Sequence, residues 1–546
     1  MRRFGWLVGS VVIAAGCQGG AGSAIVLHNG KVFTGNPTAP WAQAVLIVGD
    51  RISQVGGNDE VLAAAPRGAR RVDVGQRPVI PGLNDAHDHI TAALPARVVT
   101  MSNDPTPDPT GNEVRDSIAA AAQRFPAGTR FRVSVGELTL SDSRIRRPLL
   151  DRIAPNHPVE IVAWSGHGMI LNTAALTAAG IADSTPDPIG GRFERDPAGR
   201  LTGLLEEYAG YNAAAAVTER TDSATLAAFN ERAAMAVRWG ITSIQNMTLG
   251  VDPEVMRRIA SRLDLPVRLR LIRFPLTTKS GVERGALNGL TVGAGVRVSG
   301  IKWIVDGTPV ERLAALRAPY SDAPNGFGRI NIPADTLRAL LAEAVAANEQ
   351  PHLHAVGDSA IGLSLSLLEA VAPDSVWRRI RPRIEHGDGL AADQLERAKR
   401  LGVIVVQNPS HFALGPLAVR RYGAARMVGF QPAQSLVRNG IPFALGSDGP
   451  PNPFLNIFLA TIHPDNPAEA LTVEQAVTAY TATSAFAEHQ ETEKGRIMVG
   501  QLADLAVLSQ DIFSVPKPTL PGTVSVLTLL GGRAVRDSLG WLGPPR

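Results

Sequence analysis

The sequence predicts an α/β protein, a (β/α)8 barrel of the TIM type with a small β-sandwich formed by the N- and C-terminal segments. Three observations predict it. Short apolar runs alternate with amphipathic stretches through the middle of the chain, the pattern of a parallel sheet covered by helices. Metal-ligand residue types close several of those runs, at the strand ends where barrels build their sites. Short strands with turn signals cluster at both ends of the chain. At 546 residues the chain exceeds the size of a single growing core, so a large domain with a satellite is expected.

In chain order, Met1-Arg2-Arg3 is followed by an apolar run from Phe4 to Ala15, too short to span a bilayer and read as an export signal. Cys17, the only cysteine, falls where bacterial lipoprotein signals place the acylated residue. Residues 1–17 are therefore expected to form a lipoprotein-type signal peptide, with secretion after cleavage near Gly16 as the alternative. Residues 18–23 form a Gly-rich tether, and Gln18 matches outer-membrane sorting. The expected location is the periplasmic side of the bacterial envelope as an outer-membrane lipoprotein, touching the membrane only through its lipid anchor. A lone cysteine allows no internal disulfide.

Residues 24–80 and 495–540 supply the sandwich. Ala24–Phe33 turns at Asn29-Gly30 and Ala44–Val55 at Gly49-Asp50, and Asp504–Leu508 and Val524–Leu530 add strands near the C-terminus. Residues 81–494 supply the barrel, with an insertion around 130–211. Its candidate strands are the run ending at His87, then Pro158–Trp164, Thr242–Gln245, Val267–Leu271, Gly300–Val305, His352–Val356, Arg383–His386, Val403–Gln407 and Pro442–Gly446. These exceed eight, so the barrel strands cannot be numbered uniquely. Helices are expected at Ala334–Asn348, Ala392–Leu401 and Val473–Phe486. A net charge of +4, or +2 without Arg2 and Arg3, with no basic stripe, excludes nucleic acid as a partner.

His87-Asp88-His89 carries most of the chemistry. Residues i and i+2 of a strand point to one face, so two imidazoles converge where this strand ends, as a divalent metal site requires. Alone such a pair is weak evidence. It gains weight from Lys302, His354, His386 and Asp448, each at or near a later strand end. Asp85 and Asp88 are candidates to support the imidazoles. Lys302 sits inside an apolar strand, where an ammonium is costly. Its head snorkels out, pairs with Asp306, or takes up carbon dioxide as a carbamate bridging two metals. Of the two histidines on the next strand, His354 lies nearer the C-terminal end and His352 is read as core.

Three stretches carry a resemblance to a known family: Trp164–Leu176 with Pro188–Gly191 and Gly199–Glu207; Ile301–Thr308; and His354–Ile361 with Glu385-His386 and Ser447–Pro450. The chain resembles the amidohydrolase superfamily, and within it amidohydrolase family 3, the N-substituted formamide deformylase-like branch. The resemblance runs from about Ala24 to Asp537. It implies one or two divalent metals, usually zinc, with His87, His89 and Asp448 on the first, His354 and His386 on the second, and Lys302, as N6-carboxylysine, between them. Asn84-Asp85-Ala86 and Asn408 depart from the family pattern without removing a ligand.

The expected function is metal-dependent hydrolysis of a C–N bond in an amide, formamide, cyclic amide or carbamate. Water activated on the metal attacks the carbonyl, and Asp448 serves as general base. His167, His411 and Glu207 are candidates for binding a small-molecule substrate; the sequence leaves the oligomeric state undetermined, with a homodimer as one option. Two alternatives stand: a deaminase of the same superfamily, disfavoured because Gly357 stands where an acid is needed, and an inactive substrate-binding lipoprotein.

Overall fold

Eight parallel strands form a barrel in the computed structural model, which describes residues 24–91, 96–99, 108–218, 220–249, 251–284 and 287–543. The expected signal peptide, its Cys17 and the tether lie outside the described residues. In chain order the strands are β1 (Leu83–Asp88), β2 (Ile241–Met247), β3 (Arg268–Arg273), β4 (Val296–Ile304), β5 (Pro351–Ala355), β6 (Arg383–His386), β7 (Ile404–Gln407) and β8 (Phe443–Leu445). Each neighbours the next in that order and every pair is parallel. Just past β8 the Asp448 amide donates to the His87 carbonyl (3.0 Å), bringing the last strand to the first. Gly446 permits that approach, since a Cβ there would lie 2.5 Å from the His87 backbone nitrogen.

The ninth candidate strand belongs elsewhere. Val159–Ala163 pairs within a separate six-stranded sheet that begins at Arg97–Val98 and ends at Leu201–Glu207. This sheet has its own core, including Val114, Ile118, Phe131, Ile161 and Ile170. It opens earlier than the expected insertion around 130–211. An apolar run reads the same in either sheet, because both bury it on two faces. The helix expected over Val473–Phe486 is broken into Val473–Ala479 and Ala482–Ala487. The Tyr480 carbonyl, between the two, accepts the amide of Asn84 on β1 (2.7 Å).

The two ends of the chain meet in two further sheets. Ala24–His28, Ala44–Val48, Arg51–Gly56 and Arg70–Asp73 make one, and Leu505–Leu508 pairs antiparallel with Pro78–Pro81 in the other. Strand periodicity shows how the second sheet serves two cores. Val79, Leu505 and Val507 join the core between the sheets, whereas Ile80, Ala506 and Leu508 join the barrel core.

At the end of the barrel where the strands begin, polar groups close the interior. Buried Glu488 accepts from Asn84 Nδ2 (2.8 Å) and Arg297 (2.6 Å), and pairs with Lys494 (2.7 Å). Burial alone would raise the Glu488 carboxyl, but Lys494, Arg297 and Arg270 hold it below its ordinary value. A depressed carboxyl stabilises the fold above its unfolded pKa, and that contribution is lost as pH falls through the folded value. Urea midpoints measured across the acid range are therefore expected to fall more steeply for the wild type than for Glu488→Gln. At neutral pH the variant should be about 3 kcal/mol less stable, with buried Lys494 and partly exposed Arg297 left undercompensated.

Candidate metal centre

The six expected ligands gather at one mouth of the barrel. His87 and His89 come from the end of β1, Lys302 from β4, His354 from β5, His386 from the last position of β6 and Asp448 from the turn after β8. His386 and Asp448 take positive φ angles, 72° and 37°, a conformation uncommon for residues with side chains that concentrates at functional sites. His87 Nε2 lies 3.7 Å and His89 Nε2 3.5 Å from Asp448 Oδ1, and His386 Nε2 lies 3.8 Å from Asp448 Oδ2. Asp448 therefore stands between two groups of imidazoles.

Those spacings suit a divalent cation. Tetrahedral ligands with bonds of about 2.1 Å stand roughly 3.4 Å apart. Protonation also fits. His87 Nδ1 lies 2.7 Å from Glu385, a carboxylate that can only accept, so Nδ1 carries the proton and the Nε2 lone pair faces the mouth. Burial, and next Lys302, lower the pKa of His87 and bring His89 to about 3. Burial, followed by neighbouring imidazoles, keeps His354 well below the ordinary value, and burial does the same for His386 against the opposing pull of Asp448. Burial would raise Asp448, but His87, His89, His386 and His411 hold it well below. Neutral imidazoles beside a carboxylate are the state in which these groups bind a metal. The buried His89 Nδ1, His354 Nε2 and His386 Nδ1 have no hydrogen-bond partner among the described residues.

Lys302 is fully enclosed, with Nζ 2.9 Å from His87 Nε2. Neither snorkelling nor pairing with Asp306 describes it. Asp306 instead accepts backbone N–H groups from Ala315, Val356 and Gly357. Burial lowers the Lys302 amine to about 8, against the pull of Asp448 and Glu385.

The second group of donors includes His411. His386, His411 and Asp448 offer ligand atoms within 4.8 Å of one another, as do His87, His89 and Asp448. His354 packs its ring on His386 (centroids 4.4 Å) and on His167 (4.6 Å). His167 is anchored in turn by Glu207, whose Oε2 lies 2.9 Å from Nδ1, and by the Tyr211 hydroxyl at 2.9 Å. Burial would depress His167, but Glu207 and Glu311 outweigh it and raise its pKa. Glu207 itself is buried at φ 55°. His167, His411, His89 and Asp448 all line a cavity of about 740 Å³.

Sequence reasoning did not assign roles to Glu385 and Arg383, which hold this arrangement. Glu385 takes His87 on one oxygen and His352 on the other (3.0 Å), while Arg383 donates to both oxygens (2.7 and 3.0 Å). His352 is thus a ligand of the buried carboxylate and not simply core. The signal was present in Arg383-Ile384-Glu385, since i and i+2 on a barrel strand share the inner face. Asp85 and Asp88 act on backbone and not on imidazoles. Asp85 accepts the Ser447 amide (2.8 Å), Asp88 accepts the His89 amide (2.9 Å), and Arg232 joins the two carboxylates. Gly357 has no room for an acid, because a Cβ would lie 2.0 Å from the Ala315 carbonyl oxygen.

Comparison with known proteins places this geometry. The sequence profile of the amidohydrolase family matches residues 70–536. The chain is 28% identical over 527 residues to N-substituted formamide deformylase of Arthrobacter pascens, covering 89% of this chain and 93% of that protein. It is 27% identical over 537 residues to Protein LONG AFTER FAR-RED 3 of Arabidopsis thaliana, covering 93% and 91%. Among solved structures, an uncharacterized metal-dependent hydrolase from Pyrococcus furiosus shares the fold at a TM-score of 0.67 and 20% identity, covering 90% of this chain and all of that one.

Proposed function

The chain belongs to the amidohydrolase family, and from that premise we propose that it is a metal-dependent hydrolase cleaving a C–N bond in an amide, formamide, cyclic amide or carbamate. The observation that carries the proposal is the position of Asp448, an ionised carboxylate 3.5–3.8 Å from imidazole nitrogens of both donor groups. When bound, a divalent ion, zinc by the nitrogen-rich donor set, supplies Lewis acidity and lowers the pKa of water. His87, His89 and Asp448 would hold one ion, and His386 with His354 or His411 a second.

The chain's own residues do the rest. Asp448 accepts the proton of the attacking water and returns it to the leaving nitrogen. His167, oriented by Glu207 and Tyr211, and His411 line the cavity in which the substrate would sit. Glu385 keeps the His87 proton on Nδ1 throughout. Lys302 is proposed to be an N6-carboxylysine, because burial lowers its amine to about 8 and so raises the share of the neutral form that carbon dioxide requires. Export to the periplasmic side and lipid anchoring at Cys17 belong to the same proposal.

Protein stripped of metal and reloaded with zinc, screened against formamides, N-acyl compounds and lactams, tests the function. Hydrolysis that disappears on chelation and returns with zinc is expected. Ammonia release from ring amines would replace this reading by deamination, and binding without turnover by a scaffold. Growth on 13C-bicarbonate should give a carbamate carbon resonance in the loaded protein that is missing in Lys302→Met. Its absence from the wild type would remove the carboxylysine.

A further inference from the structure

A second cavity, of about 300 Å³, adjoins the catalytic one of about 740 Å³. Phe274 is a wall of both. Two stretches of chain also divide between them residue by residue: Tyr211 and Leu249 face the catalytic cavity, while their neighbours Asn212 and Thr248 face the second. On its catalytic side the Phe274 ring lies 6.4 Å from that of His89 and 5.6 Å from that of Tyr211, with Lys302 Nζ 5.9 Å from its centre. The shared wall therefore stands at the metal centre itself.

Hydrocarbon makes up most of the surface of the second cavity, beside the polar Asn212, Thr218 and Thr248. Ala215, Val251, Leu276 and Leu287 contribute to its lining besides Phe274. Its charged groups are already engaged. Asp252 pairs with Arg220 (3.2 Å) and caps the helix Pro253–Ile259 through the Glu254 and Val255 amides. Glu283 accepts the Leu276 amide (3.1 Å). Asn212 donates its Nδ2 to the Thr277 carbonyl (2.7 Å) and leaves Oδ1 without a partner among the described residues, and the rest of the open lining is mainly hydrocarbon, which an apolar group would remove from water.

We propose that this cavity receives an apolar arm of the substrate, an alkyl or aryl group attached to the carbonyl under attack, which passes Phe274 on its way from the metal centre. The inference rests on the metal-dependent hydrolase reading and narrows it to substrates with an extended hydrophobic acyl group. Such a substrate anchors its reacting amide by an arm that takes no part in the chemistry.

Calorimetric binding of linear alkyl hydroxamates, from acetyl to decanoyl, to the zinc-loaded protein tests it. Affinity is expected to rise about fourfold per methylene until the cavity is filled. Ala215→Trp, which fills the second cavity, should abolish that rise while leaving acetohydroxamate affinity unchanged, and Val251→Phe should blunt it from another wall. Acetohydroxamate binding with no dependence on chain length would overturn the inference and leave the metal reading intact. A rise that both variants retain would also overturn it. Failure of every hydroxamate to bind would overturn the metal reading, and the inference with it.

Discussion

Asp448→Asn should lower kcat/KM by about 10³-fold or more while leaving the protein folded. The side chain keeps its size and one oxygen, so the turn after β8 and its amide bond to the His87 carbonyl are preserved. What disappears is the negative charge that two groups of imidazoles surround, and with it the acceptor placed to take a proton between them. Metal content read by elemental analysis separates the two contributions. A variant that retains zinc yet turns over at the wild-type rate would remove Asp448 from the role of base. One that loses both metal and activity would show that its part as a ligand dominates.

Glu385→Ala is expected to be the most destabilising single change at the site, by about 3–5 kcal/mol. The carboxylate is fully buried and satisfies Arg383, His87 and His352 together. Burial would raise its pKa, but Arg383 and then His87 hold it well below the ordinary value, so it is an anion at neutral pH. Removing it leaves the Arg383 guanidinium in the barrel interior with only Gln245 (2.6 Å) and the Ala86 carbonyl (2.7 Å) among the described residues. It also frees the His87 tautomer, which should weaken metal affinity by about 10–100-fold. Urea unfolding and metal titration read the two effects separately. The double variant Glu385→Ala with Arg383→Met should recover stability but not metal affinity. Recovery of both would mean that Glu385 acts on the fold alone.

Much of the candidate site was legible because its residues end strands. Glycine-flanked apolar runs place His87, His386 and Asp448 at their C-terminal ends, and the barrel brings all such ends to one mouth. Less legible were partners whose side chains carry no local signal. Arg232 lies in the helix Asp222–Arg238 and looks like an ordinary surface position in the sequence, yet it joins Asp85 to Asp88. His411, expected as a substrate contact, follows β7 in a short 3₁₀ turn, Pro409–Ala413, and its place beside His386 and Asp448 is one no periodicity encodes. Val159–Ala163 shows the same limit at the level of the fold, since an apolar strand does not say which sheet will take it.

By itself the sequence determined the alternating architecture, the sandwich shared by the two ends of the chain and the residue types available to hold a metal. These follow from periodicity and from strand ends, which short stretches of chain express. Only the tertiary structure decided which groups meet: Glu385 with His87 across 298 positions, Lys302 with His87 across 215, and Phe274 between two cavities. The reason is physical. A buried charge is tolerable only where partners from distant strands satisfy it together, and barrel closure alone brings those strands into reach.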